Sequence, residues 1–264
     1  IYQNREFNKI EAQSSSDWLK KEIKELKNVK NLEVKVRTSV AAYHGYNYLL
    51  ARENLTDHLE KKDKQGKIRQ RLLKIRAKKV ILATGALERP LIFNNNDRPG
   101  IMLSSAVNKY ADFYGVVCGQ KTVFFTNNDS AYESAFCLHN KGIKVEAIID
   151  IRDNSNSKIV KAVEEVGIKI HWSHTVVDTS GYKRLKNISV MKLSNDGMSV
   201  TGNRIKISSD CLGISGGWTP AVHLFTQSGG KLSFDEENKV FLPNKYPSEQ
   251  ISIGSCNGDF EISK

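Results

Sequence analysis

Lys121-Thr122-Val123-Phe124-Phe125-Thr126, then Ser130–Lys141, then Val145-Glu146-Ala147-Ile148-Ile149-Asp150 is the stretch from which the fold class follows. Its first and third segments are short apolar runs rich in β-branched and aromatic residues, of strand length. The segment between them reads as a helix that stops at Gly142, a residue suited to the left-handed turn after a helix. Strand, tight turn, helix and strand in about thirty residues predict a right-handed βαβ unit with parallel strands.

Working outward, the loop chemistry of Asn94–Gly100 precedes a predicted helix from Ser104 to Tyr114, closed by Gly115. Before it, Lys79-Val80-Ile81-Leu82-Ala83-Thr84-Gly85-Ala86 reads as a parallel strand covered on both faces and ending on a small-residue turn. Further upstream, Val34–Val40, Tyr46–Arg52 and Ile68–Ala77 read as a β-meander, with the charged stretch Glu60–Lys67 as a hairpin tip. A helix over Asp17–Leu26 has Ser14, Ser15 and Ser16 as candidate caps. On the other side, a helix over Lys158–Val166 ends at Gly167 and leads into a strand over Ile168–Trp172. Leu185–Leu193 and Ser199–Ile207 flank Asp196-Gly197, a hairpin signal. Asp210–Ser215 is a further strand, and Ile251-Ser252-Ile253-Gly254-Ser255 a late strand and turn.

A meander, a strand ending in small residues and then a βαβ unit is the order of a two-dinucleotide-binding-domain flavoprotein. The expected class is therefore α/β, an FAD/NAD(P)-binding type of fold with a second Rossmann-like domain inserted into the first. Residues 1–90 and 240–264 form parts of the first domain, which lacks its N-terminal glycine-rich motif, and residues 91–239 form the inserted one. The first residue is Ile1 rather than Met, so a segment of a longer chain is expected.

The 264 residues carry a net charge of +11, and residues before Val80 hold about half of the Lys and Arg but about a third of the acids. These cations mix with acids and lack interleaved aromatic platforms, so they read as a solvated face rather than a nucleic-acid surface. The four cysteines are scattered with no Cys-x-x-Cys pair, which argues against a zinc site or a redox dithiol and for a cytoplasmic chain with free thiols. No apolar run is long enough to span a bilayer.

Three places bear on chemistry. In the βαβ unit, the turn Thr126-Asn127-Asn128-Asp129-Ser130-Ala131 contains no glycine, so side chains would crowd a pyrophosphate. Asp150 ends the second strand, where a carboxylate can bind ribose hydroxyls. That cleft is expected to be vestigial or to hold something unusual. Ala83-Thr84-Gly85 and Gly254-Ser255 are small residues after strands, and are expected to meet at one crevice. His171 and His174 have no carboxylate or cysteine spaced to complete a metal site, and no catalytic residue is nominated.

Three stretches together resemble one family. They are Val36–Val40 with Tyr43, Asn47 and Arg52–Leu59; Leu82–Pro90 through Asn95–Leu103 and on to Phe125–Tyr132; and Gly216-Gly217-Trp218-Thr219-Pro220 through Phe225 with Gln227–Leu232. They resemble the alpha subunit of heterotetrameric sarcosine oxidase over nearly the whole chain. The resemblance implies a complex that demethylates sarcosine to glycine and passes the one-carbon unit to tetrahydrofolate. It implies NAD in the first domain of the complete subunit, and FAD and FMN on the beta subunit and at the alpha–beta interface. It implies beta, gamma and delta subunits as partners, with no nucleic acid and no membrane. Carried over by position, Val40 contacts the adenosine end through its backbone, and Ala83, Thr84, Gly85, Gly254 and Ser255 line the cleft. This segment alone is expected to retain no cofactor and to be inactive. Alternatives are a subunit of a proline- or opine-type amine dehydrogenase, a stand-alone pyridine-nucleotide-dependent reductase and a basic nucleic-acid-binding module.

Overall fold

Five parallel strands carry residues 88–218, in the spatial order Ile170–His171, Val145–Asp150, Thr122–Thr126, Cys211–Ser215 and Ile101–Leu103. The computed structural model describes residues 9–10, 13–247 and 249–260, and its contacts divide the chain into two units. One holds residues 88–218 with 1–18, and the other holds 19–87 with 219–264.

In the first unit, alternation along the central strands decides which layer each side chain meets. Phe124 and Ile148 face the helices Ser104–Asp112, Ser130–Asn140 and Lys158–Glu165, among Val107, Tyr132, Ala135, Leu138 and Val160. Val123, Phe125, Ala147 and Ile149 face the other way, toward Val176, Ile188 and Val190 of an antiparallel sheet. That sheet comprises His174–Ser180, Asn187–Leu193 and Val200–Ser208. Every residue of Thr122–Thr126 and Cys211–Ser215 is therefore buried. Each such large apolar side chain contributes about 1.5–3 kcal/mol. Gly213 permits the tightest of these contacts, since a Cβ there would sit 2.6 Å from the Phe124 ring.

The second unit holds the antiparallel meander Thr38–His44, Tyr48–Asn54 and Gln70–Arg76, and a parallel pair, Val80–Leu82 with Gln250–Ser252. Tyr43, Leu49, Val80, Leu82 and Phe225 form its core. A buried polar knot fixes the meander to the pair. The Tyr43 hydroxyl donates to Asn47 Oδ1 at 2.7 Å, and Asn47 Nδ2 donates to the carbonyls of Lys78 (3.2 Å) and Glu249 (3.0 Å).

Several expectations are corrected. Residues 34–37 lie outside the strand, which starts at Thr38 and runs to His44; Val34 and Val36 point to solvent. The charged tip contains a helical turn, Lys61–Lys64. Val80–Leu82 is covered on one face only, with Val80 and Leu82 buried and Ile81 exposed at 64%. The strand His174–Ser180 and the hairpin Lys231–Asp235 with Val240–Lys245 escaped the sequence patterns. By contacts the two units divide after Leu87 and after Trp218. Residues 219–239 join 19–87 because Phe225, Leu224 and Leu232 pack with Tyr43, Leu49, Val80 and Leu82.

Candidate functional site

In the second unit, Ala83–Gly85 and Gly254–Ser255 follow the carboxyl ends of strands that lie side by side. The pairing is Gln250 with Val80, Ile251 with Ile81 and Ser252 with Leu82, and the ladder continues as Ile253 N–H donates to the Leu82 carbonyl at 2.9 Å. The Cys256 thiol reaches the same carbonyl, at 3.2 Å. Gly254, with φ +66°, turns the chain into a short 3-10 helix, Gly254–Asn257. On the neighbouring strand, Thr84 Oγ1 donates to the Ala221 carbonyl at 2.7 Å, and Ala221 N–H donates to the Gly85 carbonyl at 2.9 Å.

Five of the six expected site residues are thus brought together by one strand pair. Val40 is on the separate meander sheet, paired with Ala51 next to a bulge. A Cβ built on Gly85 or Gly254 would meet nothing within 4 Å, so open space borders both turns. Ala83, Thr84 and Gly254 are exposed, and nothing larger than threonine stands at 83–85. Small residues at a strand end leave room for a dinucleotide's backbone-contacting face to come close.

The carboxyl ends of the first unit's strands are built differently. Asn127 N–H donates to the Ser215 carbonyl at 3.4 Å, and Asn128 N–H donates to Thr126 Oγ1 at 3.1 Å. Asn128 Oδ1 accepts from Ser130 N–H at 3.1 Å, so it satisfies the first amide of the Ser130–Asn140 helix. The Trp218 indole N–H donates to Ser130 Oγ at 3.2 Å. Asp150 is fully buried. It accepts from the Tyr132 hydroxyl (2.8 Å) and from Arg152 through the backbone N–H (2.9 Å) and Nη2 (2.8 Å). Arg152 Nη1 extends to Asp129 Oδ1 at 2.8 Å. Burial, then the Asp150 charge, pushes the Tyr132 phenol far up, so it stays a hydroxyl donor. Burial, then the Asp129 charge, pushes Glu133 up to about 7. Asp150, at a position where a carboxylate can bind ribose, is committed to internal partners. Arg152 went unnoticed in the sequence, although an arginine two residues beyond a strand-final aspartate is a readable signal.

His171 and His174 meet edge to face with 5.5 Å between ring centroids, and no group of three metal-ligating side chains occurs among the described residues. None of the four cysteines forms a disulfide, and burial pushes the Cys211 thiol up to about 12, where it is a poor nucleophile. Among the described residues no helix is long and apolar enough to cross a membrane.

The family model described as pyridine nucleotide-disulphide oxidoreductase matches residues 6–251. The chain is 36% identical over 256 residues to the sarcosine oxidase subunit alpha of Corynebacterium sp. (strain P-1), covering 96% of this chain and 26% of that one. It is 34% identical over 248 residues to the same-named protein of Rhizobium meliloti (strain 1021), covering 94% and 24%. The chain therefore spans about a quarter of the length of these relatives. Among solved structures, L-proline dehydrogenase from P. horikoshii superposes with a TM-score of 0.65 at 21% identity, covering 97% of this chain and 42% of that one. Thioredoxin reductase from T. acidophilum gives 0.67 at 15% identity, covering 99% and 79%. These two likenesses show the fold, and the α/β class read from the βαβ unit is the one observed.

Proposed function

The chain belongs to the pyridine nucleotide-disulphide oxidoreductase family, and from that premise we propose that it is part of the alpha subunit of an amine-oxidising complex of the sarcosine oxidase type. The observation that carries the reading is the pairing of Val80–Leu82 with Gln250–Ser252, which puts Ala83–Gly85 and Gly254–Ser255 side by side. The similarity to two sarcosine oxidase alpha subunits along at least 94% of the chain supports the choice of complex. The scattered cysteines, with no Cys-x-x-Cys pair, argue against dithiol chemistry in this segment.

In this reading Ala83, Thr84, Gly85, Gly254 and Ser255 border a cleft for NAD in the complete subunit, with Val40 toward the adenosine end. The two glycines keep side chains out of the approach, and the Thr84–Ala221 hydrogen bond holds the first turn against it. A flavin, as FAD or FMN on the beta subunit or at the alpha–beta interface, supplies the hydride acceptor when bound. The segment contributes scaffold and contacts to beta, gamma and delta partners, in the cytoplasm. Sarcosine is the substrate, with glycine as product and tetrahydrofolate as the one-carbon acceptor.

The test is co-expression of the full-length protein with its neighbouring subunits, followed by an assay of peroxide formation. Peroxide that depends on sarcosine supports the reading. Activity only with proline or an opine moves the protein to a related amine dehydrogenase, and no amine-dependent activity overturns the proposal.

A further inference from the structure

We infer that the cleft at the carboxyl ends of Thr122–Thr126 and Val145–Asp150 is closed by the chain's own charges and takes no pyridine nucleotide. The family name implies such a ligand, yet the residues present do not fit one. This inference does not depend on the amine substrate or on the partner subunits.

A dinucleotide needs three things from a βαβ unit: bare backbone at the first turn, free N–H groups at the helix start and a carboxylate open to ribose. Each is already used here. No glycine occurs between Thr126 and Ala131, so Asn127, Asn128 and Asp129 project where backbone would have to approach phosphate. The N–H groups of Asn127, Asn128 and Ser130 already donate to the Ser215 carbonyl, Thr126 Oγ1 and Asn128 Oδ1. Asp150 has both oxygens engaged, one by the Tyr132 hydroxyl and both by the Arg152 guanidinium.

Charge acts in the same direction. Asp129 sits just before the helix, so the position suited to a pyrophosphate carries a carboxylate instead. Arg152 is held between Asp129 and Asp150, at 2.8 Å from each. Freeing it for a ribose phosphate would leave Asp150 charged, fully buried and short of its ion-pair partner. The bridge Asp129–Arg152–Asp150 thus fastens the start of the Ser130–Asn140 helix to the end of the Val145–Asp150 strand, in place of a bound nucleotide.

The experiment is amide hydrogen exchange on the full-length subunit in its complex, with millimolar NADH or NADPH as probe. The expected result is exchange unchanged at 126–133 and 150–155, whether or not nucleotide slows it at 83–85 and 254–258. Slowing by more than about twofold at 126–133 or 150–155 overturns the inference. A second measurement uses phenylglyoxal: modification of Arg152 is expected to proceed at the same rate with and without NADPH. Protection of Arg152 by NADPH would overturn the inference independently. Loss of sarcosine activity in the co-expression assay bears on the proposed function alone and leaves this outcome untouched.

Discussion

Each unit has turns at the carboxyl ends of parallel strands, and the two units differ in what occupies them. At Ala83–Gly85 and Gly254–Ser255 the residues are small, φ is positive at both glycines, and a Cβ on either would meet open space. At Thr126–Ser130 the residues are polar and branched, their amides are bonded within the chain, and a buried ion pair lies alongside. The ends of parallel strands thus border open space in one unit and internally bonded side chains in the other. Fold alone does not tell them apart; the identity of a handful of side chains does.

The largest expected effect tests whether the sealed joint is a structural element. Arg152→Met leaves Asp150 buried without its ion-pair partner and should lower unfolding free energy by about 3 kcal/mol in urea titrations. The double change Asp150→Asn with Arg152→Met should recover part of that loss, because the buried charge goes with its partner. A loss below half a kilocalorie for the single variant would mean that the joint contributes little, and the contrast between the clefts would weaken.

A second test uses pH. The Glu133 carboxyl is raised to about 7, so the folded state holds a proton there that the unfolded chain has released. Its stabilising contribution is complete below the ordinary carboxylate range and is lost as pH rises toward 7. The loss should be about 2–3 kcal/mol across that window, at roughly 1.4 kcal/mol per unit. Glu133→Gln should flatten this slope in thermal melts between pH 4.5 and 7, and an unchanged slope would place Glu133 in contact with solvent.

The smallest stability effect belongs to the open cleft. Gly254→Ala has room for its methyl group and should cost only about 1 kcal/mol, from the left-handed backbone. In the full-length subunit, however, the same methyl should reduce retained nucleotide, measured after gel filtration, by about tenfold. If retention is unchanged, Gly254 does not border the nucleotide.

Much of the fold was readable. The βαβ unit, its Gly142 and Gly167 helix stops and the late strand at Ile251 all appear where composition and periodicity put them. The pairing of Val80–Leu82 with Gln250–Ser252 is also the one that the two-domain architecture leads one to expect. The strand His174–Ser180 was hidden because its polar Thr175, Asp178 and Thr179 break the alternation that marks a half-buried strand. The boundary at residue 218 was hidden because Phe225 and Leu232 find their partners in Tyr43 and Leu82, far away in sequence. Within the site, missing glycines announced the sealed turn. Arg152 was not read, although it lies two residues beyond the strand-final Asp150 that it pairs with.

Val80 and Gln250 pair although 170 residues separate them. As a nascent chain emerges, Val80–Leu82 has no partner strand until everything through residue 252 has been made. The strands at 122–126, 145–150 and 211–215 find one another well before that. Closing so long a loop carries an entropic cost that falls sharply once the intervening residues have condensed, because a folded lobe shortens the effective tether. The pairing that places residues 83–85 beside 254–255 is therefore among the last to become available.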